Sequence, residues 1–140
     1  MDRVHFLRRL SLGIFGAAAA EPQAAQAHDL EPQRQLVRDW AAAFNARKFE
    51  KLRALLAPTY INHNPNVPSG ADATIKFLEG VAASLPAAKL TVEDIITEGK
   101  KIASRMTLSS KVAGSLNKGT VIDIWRVENG RLAEHWDSAG

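Results

Sequence analysis

An aspartate set in a row of large apolar residues is the strongest chemical signal in this sequence of 140 residues. Residues 119–127 read Gly-Thr-Val-Ile-Asp-Ile-Trp-Arg-Val, a stretch rich in β-branched and aromatic side chains that predicts a strand. Side chains alternate along a strand, so Val121, Asp123, Trp125 and Val127 share one face and Thr120, Ile122, Ile124 and Arg126 the other. A carboxyl among apolar neighbours must be paired, wet or protonated, because a lone buried charge is too costly. With its pKa raised by burial, such a group can give and take a proton near neutral pH. A structural aspartate bonded to backbone or to an arginine is the competing reading. The histidines available to assist are His63, beside Asn64-Pro65, and His135, which shares a strand face with Ala133 and Asp137. A His-x-Asp pair is a weak metal signal, and no metal site is assigned. There is no cysteine, which excludes thiolate zinc, disulfide scaffolds and cysteine nucleophiles.

The elements that must hold these residues read as follows. Asn129-Gly130 supplies a tight turn after the strand, and residues 131–137 return as its hairpin partner. Upstream, Glu31-Pro32 opens a helix reaching about Arg47, with Leu36, Val37, Trp40, Ala41 and Phe44 at helical spacing. A short second helix buries Phe49, Leu52, Leu55 and Leu56 and stops before Pro58. Residues 60–65 form an extended piece that must straighten ahead of Pro65. Ser69 and Asp72 are positioned to cap a third helix, whose buried face carries Ile75, Phe77, Leu78, Val81 and Ala82. From residue 89 onward strands follow one another, broken by Gly99-Lys100, by a loop at 113–118, and by the Asn129-Gly130 turn. Three helices followed by an antiparallel meander is an α+β arrangement with the helices on one sheet face. The hollow between them would hold a small ligand. Ile122 and Ile124 on the other face call for a cover, most simply a second copy of the chain.

Length and a hydrophobic content of 46% fit one domain with a true core. The net charge of +3 is spread along the chain without a basic stripe, which argues against nucleic acid. Residues 1–27 have the order of a secretory signal: Arg3, Arg8 and Arg9, an uncharged apolar run, then Ala25-Gln26-Ala27 as a cleavage site. Arg8-Arg9 gives it a twin-arginine look. The run is too short for a span of about 20 residues, so no stable membrane insertion is expected. The expected location is periplasmic or extracellular, and cytoplasmic if this segment is not a signal. The remaining domain is 29–140.

Taken together, the order of helices and strands, the 60–65 segment and above all the run from Ile122 to Asp137, IDIWRVENGRLAEHWD, resemble the SnoaL-like polyketide cyclase family of the NTF2-like superfamily. The resemblance implies a cone-shaped α+β barrel with three N-terminal helices packed on a curved antiparallel sheet, dimeric through its outer face. It implies that Asp123 is a general acid and base in a cofactor-free aldol ring closure, with His63 as the second catalytic candidate. Trp40, Tyr60, Asn64, Phe77, Trp125 and His135 are the expected substrate contacts, and Trp136 would also line the pocket. Related ketosteroid isomerases carry a tyrosine where this chain has Trp40 and a basic aspartate where it has Asn64, so steroid-type isomerisation is disfavoured. The cyclases usually pair a threonine and a histidine in the stretch matching 107–111, which here has no histidine. Arg105 is expected in a structural ion pair. Relatives also continue beyond Ser138-Ala139-Gly140 with residues that help enclose the pocket. The function expected is cofactor-free acid/base chemistry on a hydrophobic carbonyl or ester compound. The alternative is a non-catalytic, dimeric module that binds a hydrophobic small molecule, since a fold alone decides no function. A hydrolase acting on an epoxide or ester would need several polar residues to hold water, and few are evident.

Overall fold

A computed structural model describes residues 30–139. The signal-like segment lies outside the described residues. The elements are α1 (Glu31–Asn45), α2 (Phe49–Leu55), β1 (Leu56–Asn62), α3 (Ala71–Ser84), β2 (Lys89–Glu98), β3 (Lys101–Val112), β4 (Ser115–Glu128) and β5 (Arg131–Ala139). The strands form one five-stranded sheet in the order β1-β5-β4-β3-β2. Strands β2 to β5 are an antiparallel meander, but β1 adds to β5 in parallel. The sheet is therefore mixed and open, with β1 and β2 as its edges, and not a closed antiparallel barrel.

Three expectations are corrected locally. The 113–118 stretch is not a loop: Ala113 and Gly114 alone turn the chain, both at positive φ (50° and 80°), and β4 begins at Ser115. A two-residue turn of that kind matches the strand twist, so pairing continues up to Val112↔Ser115. The second helix ends at Leu55, and Leu56 is already strand, because the chain straightens ahead of Pro58. Ser69 does not cap α3. Its hydroxyl accepts the Asn62 N–H at 3.1 Å, and Gly70, at φ 107°, makes the entry to the helix.

The helices cover one sheet face. Val37, Trp40 and Phe44 of α1, Leu52 of α2 and Ile75 of α3 meet Ile102, Met106, Trp125 and Leu132 of the sheet in one core. α1 lies along the free edge of β2. Asn45 donates its amide to Leu90 O and accepts the Leu90 N–H, both at 2.8 Å, taking the place of a neighbouring strand. Arg47, at φ 57°, then ends the helix, and its guanidinium donates to the carbonyls of Phe44, Pro86 and Ala88.

The β4–β5 hairpin fixes the site. Asn129 and Gly130 sit at φ 49° and 71°, as the turn requires. Pairing starts as Glu128↔Arg131 and Val127↔Leu132, then shifts by one residue, so that Arg126 meets Glu134. Ala133 is the extra residue of this bulge, and Leu132 and Ala133 are both fully buried. Beyond it Trp125 faces His135 and Asp123 faces Asp137.

Candidate functional site

Asp123 lies on the inner face of β4, 4% exposed, beneath the helices. Two residues along and one strand over, His135 brings its Nε2 to 2.7 Å from Asp123 Oδ1. Its ring stacks on Trp125 at 4.0 Å between centroids, and Trp125 in turn meets Trp40 edge-on at 5.2 Å. The indole N–H of Trp125 points to the Ser104 hydroxyl at a long 3.4 Å. A histidine held between an aromatic wall and a carboxylate has a fixed ring plane, and one nitrogen is committed to the acid. Asp123 Oδ2 and His135 Nδ1 are buried without a hydrogen-bond partner.

The loop after β1 delivers the third group. Asn62 donates to Thr74 Oγ1 (3.1 Å) and accepts the Asn64 N–H (2.9 Å), while Asn64 Oδ1 accepts the Asn66 N–H (2.8 Å). These side-chain turns hold the segment ahead of the α3 helix. They also leave Asn64 Nδ2 as the donor, which bonds Asp137 Oδ2 at 2.8 Å. Asp137 Oδ1 is buried and unpartnered.

These groups line a half-open cavity of about 110 Å³. Asn62, Asn64, Thr74, Asp123, His135 and Asp137 make its polar wall, and Trp40, Val67, Phe77, Leu78, Leu90, Met106 and Trp125 the apolar remainder. Phe77 lines the cavity and is itself 43% exposed. Larger hollows exist, including one of about 530 Å³ between α1 and α2, but alanine and lysine side chains dominate its walls and no buried acid or histidine reaches it. The small cavity is the one lined by the buried Asp123 and His135 together.

Burial pushes the Asp123 carboxyl above its ordinary value of 3.8; the His135 hydrogen bond and charge pull the other way, and the Asp137 carboxylate adds to the rise. Burial likewise raises the phenol of Tyr60, helped by Asp123. Tyr60 is 3% exposed with an unpartnered hydroxyl, behind the cavity wall and not among its lining residues. Ligand atoms of Asp123, His135 and Asp137 lie within 4.8 Å of one another, a nitrogen and oxygen donor set that a divalent ion could use.

Of the expected site residues, Trp40, Asn64, Phe77, Trp125, His135 and Asp123 converge on the cavity. His63 does not join them. Its side chain is on the outer sheet face, stacked on Trp136 (4.7 Å, 3° between planes) with Nε2 2.8 Å from Glu134 Oε1. Glu134 also holds Arg126 at 2.7 Å, and that bond, then His63, keeps its carboxyl below the usual range. Trp136 is on this outer face too, and the expectation that it lines the pocket is corrected. Arg105 is paired with Asp94 at 2.6 Å, as expected. Asp137, Asn62, Thr74 and Met106 were not foreseen. The signal for Asp137 was its place two residues after His135, on the same strand face.

Comparison with known proteins gives a consistent answer. The SnoaL-like domain family matches residues 37–135. TsrD from Streptomyces laurentii is 29% identical over 78% of this chain and 88% of its own, with a TM-score of 0.70. A loop-truncated variant of IdmH, a proposed polyketide cyclase of Streptomyces antibioticus, is 26% identical over 77% and 91%, TM-score 0.69. An NTF2-like protein of unknown function from Burkholderia pseudomallei is 25% identical over 78% and 91%, TM-score 0.69. No curated protein matches the sequence.

Proposed function

The chain belongs to the SnoaL-like domain family, and from that premise we propose that it is a cofactor-free acid/base catalyst acting on a small carbonyl or ester compound. The observation that carries this reading is the Asp123–His135 pair: a buried carboxyl with Oδ1 at 2.7 Å from an imidazole nitrogen and Oδ2 unpartnered beside a cavity. Oδ2 takes a proton from carbon α to the carbonyl and later returns it. His135, across Oδ1, offsets the change in charge as the carboxyl cycles. The same proton transfers serve aldol closure, its reverse, and isomerisation. The name of IdmH supports cyclisation as one use of the site.

The test is exchange of α-hydrogens for deuterium in a panel of small cyclic ketones and keto esters, followed by NMR in heavy water. The account predicts exchange above the buffer rate. It also ranks the two histidines. His135→Ala lowers the rate by about tenfold or more, in the range of a lost acid/base partner. His63→Ala changes it by less than about twofold, because an outer-face ion pair contributes about 0–1 kcal/mol. Absence of exchange by the wild-type protein, or the reverse ranking, contradicts the proposal.

We further propose that the outer face is covered by a second copy. Ile122, Ile124 and Ile96 are 40%, 42% and 68% exposed, and they lie with Ala103 and Trp136 on one surface crossing four strands. Arg105 and Asp94 beside them give the surface both charge signs, which suits self-association through a two-fold axis. Ile124→Glu should convert a dimer to a monomer in sedimentation experiments without altering the far-ultraviolet spectrum. A wild-type monomer refutes this assignment.

A further inference from the structure

The cavity's dimensions and its two unpartnered carboxyl oxygens say more about the ligand. Resting on the acid/base reading above, we infer that the substrate is a single-ring or short-chain hydroxy-carbonyl compound, with Asp137 the residue that recognises its hydroxyl.

Size is the first argument. The half-open cavity holds about 110 Å³, whereas pockets for drug-sized ligands run to roughly 300–1,000 Å³ and an enclosed cavity of about 150 Å³ holds one benzene, so one small ring is the upper limit and part of it must extend through the open side. A fused polycyclic body does not fit. What bounds the space is bulky: Trp40, Trp125 and Met106 are buried core residues and cannot retreat without unpacking the domain. Phe77 is the exception. It is 43% exposed on α3, so it sets the size limit from the solvent side.

Polarity is the second argument. The walls are apolar except at one end, where Asp123 and Asp137 are cross-strand partners. Asp123 Oδ2 and Asp137 Oδ1 are each buried without a donor. Asn64 and His135 already occupy the other oxygen of each carboxyl. No lysine or arginine lines the cavity among the described residues, so donors must come from a ligand or from water. A simple ketone answers only Asp123. A molecule with a hydroxyl near its carbonyl answers both, the carbonyl side at Asp123 and the O–H donated to Asp137. Asp137 is a positioning residue here, and Phe77 a size filter.

The test uses the exchange assay on full-length protein with cyclohexanone, 3-hydroxycyclohexanone and a two-ring decalone. Wild type should favour the hydroxy ketone over cyclohexanone by about tenfold or more in kcat/KM, the effect of a hydrogen bond to a charged group. It should discriminate against decalone by at least as much. Asp137→Ala should abolish the hydroxyl preference, seen as a ratio near one. Phe77→Ala should admit decalone while keeping the hydroxyl preference, which also shows that the variant is folded. Equal rates for all three ketones in wild type overturn the inference, as does a hydroxyl preference that survives Asp137→Ala. Exchange that is absent for every ketone instead refutes the acid/base reading itself, so the two failures are distinguishable.

Discussion

Asp123→Asn should abolish proton transfer while leaving ligand affinity within a fewfold of wild type. The amide keeps the size of the carboxyl and can still meet His135, but it cannot accept a proton. Loss of a positioned acid/base group costs about 10²- to 10⁴-fold in rate. The fall should appear in kcat, because the interaction is made in the transition state. The same substitution should stabilise the fold. Asp123 has its folded pKa raised by burial from 3.8, so over the window above that value the native state holds more protons than the unfolded chain. Stability linked to this group is fully present below pH 3.8, and is lost as pH rises through the folded pKa. Asparagine has no such loss. The variant should therefore exceed wild type in urea melts at pH 7 to 8. The gap should narrow towards pH 4. A variant less stable than wild type at neutral pH would mean that the carboxylate is well paired and not strained by burial.

Trp125→Ala should be the most damaging single core change. Trp125 is fully buried, stacked on His135 and edge-on to Trp40, with its indole N–H towards Ser104. Truncation removes contacts to both the helix layer and His135. Large aromatic-to-alanine changes in cores cost about 3–5 kcal/mol, and the cavity left behind adjoins the ligand space already present. Urea melts should show that loss. In whatever fraction stays folded, exchange activity should fall as well, because His135 loses the surface that fixes its ring. A loss below about 1 kcal/mol would show that the helices and sheet can close around the gap.

Much of this arrangement was legible in the residues. The alternation of 121–127 correctly separated the Asp123 face from the Ile122 and Ile124 face, because period-two burial is a direct consequence of strand geometry. Trp40 and Phe44 at helical spacing marked the face of α1 that packs on the sheet. What could not be read was register. Continuing the pairing regularly from Glu128↔Arg131 would set Asp123 opposite Trp136 and put His135 on the outer face. The bulge at Ala133 moves everything beyond it by one residue and brings His135 and Asp137 inward. That shift turned His135 from a contact residue into the partner of the acid, and sent Trp136 outward to His63. Parallel addition of β1 was equally hidden. Its local pattern is that of any extended segment before a proline, and only the sheet edge it meets decides its role.

The most direct test of the central claim is the pKa of the Asp123 carboxyl by carbon-detected NMR titration, with and without 3-hydroxycyclohexanone. The account predicts a value above the ordinary 3.8 that moves when the ligand binds. A titration at or below the ordinary value, unchanged by ligand, would make Asp123 a structural carboxylate and contradict the assignment of an acid/base site.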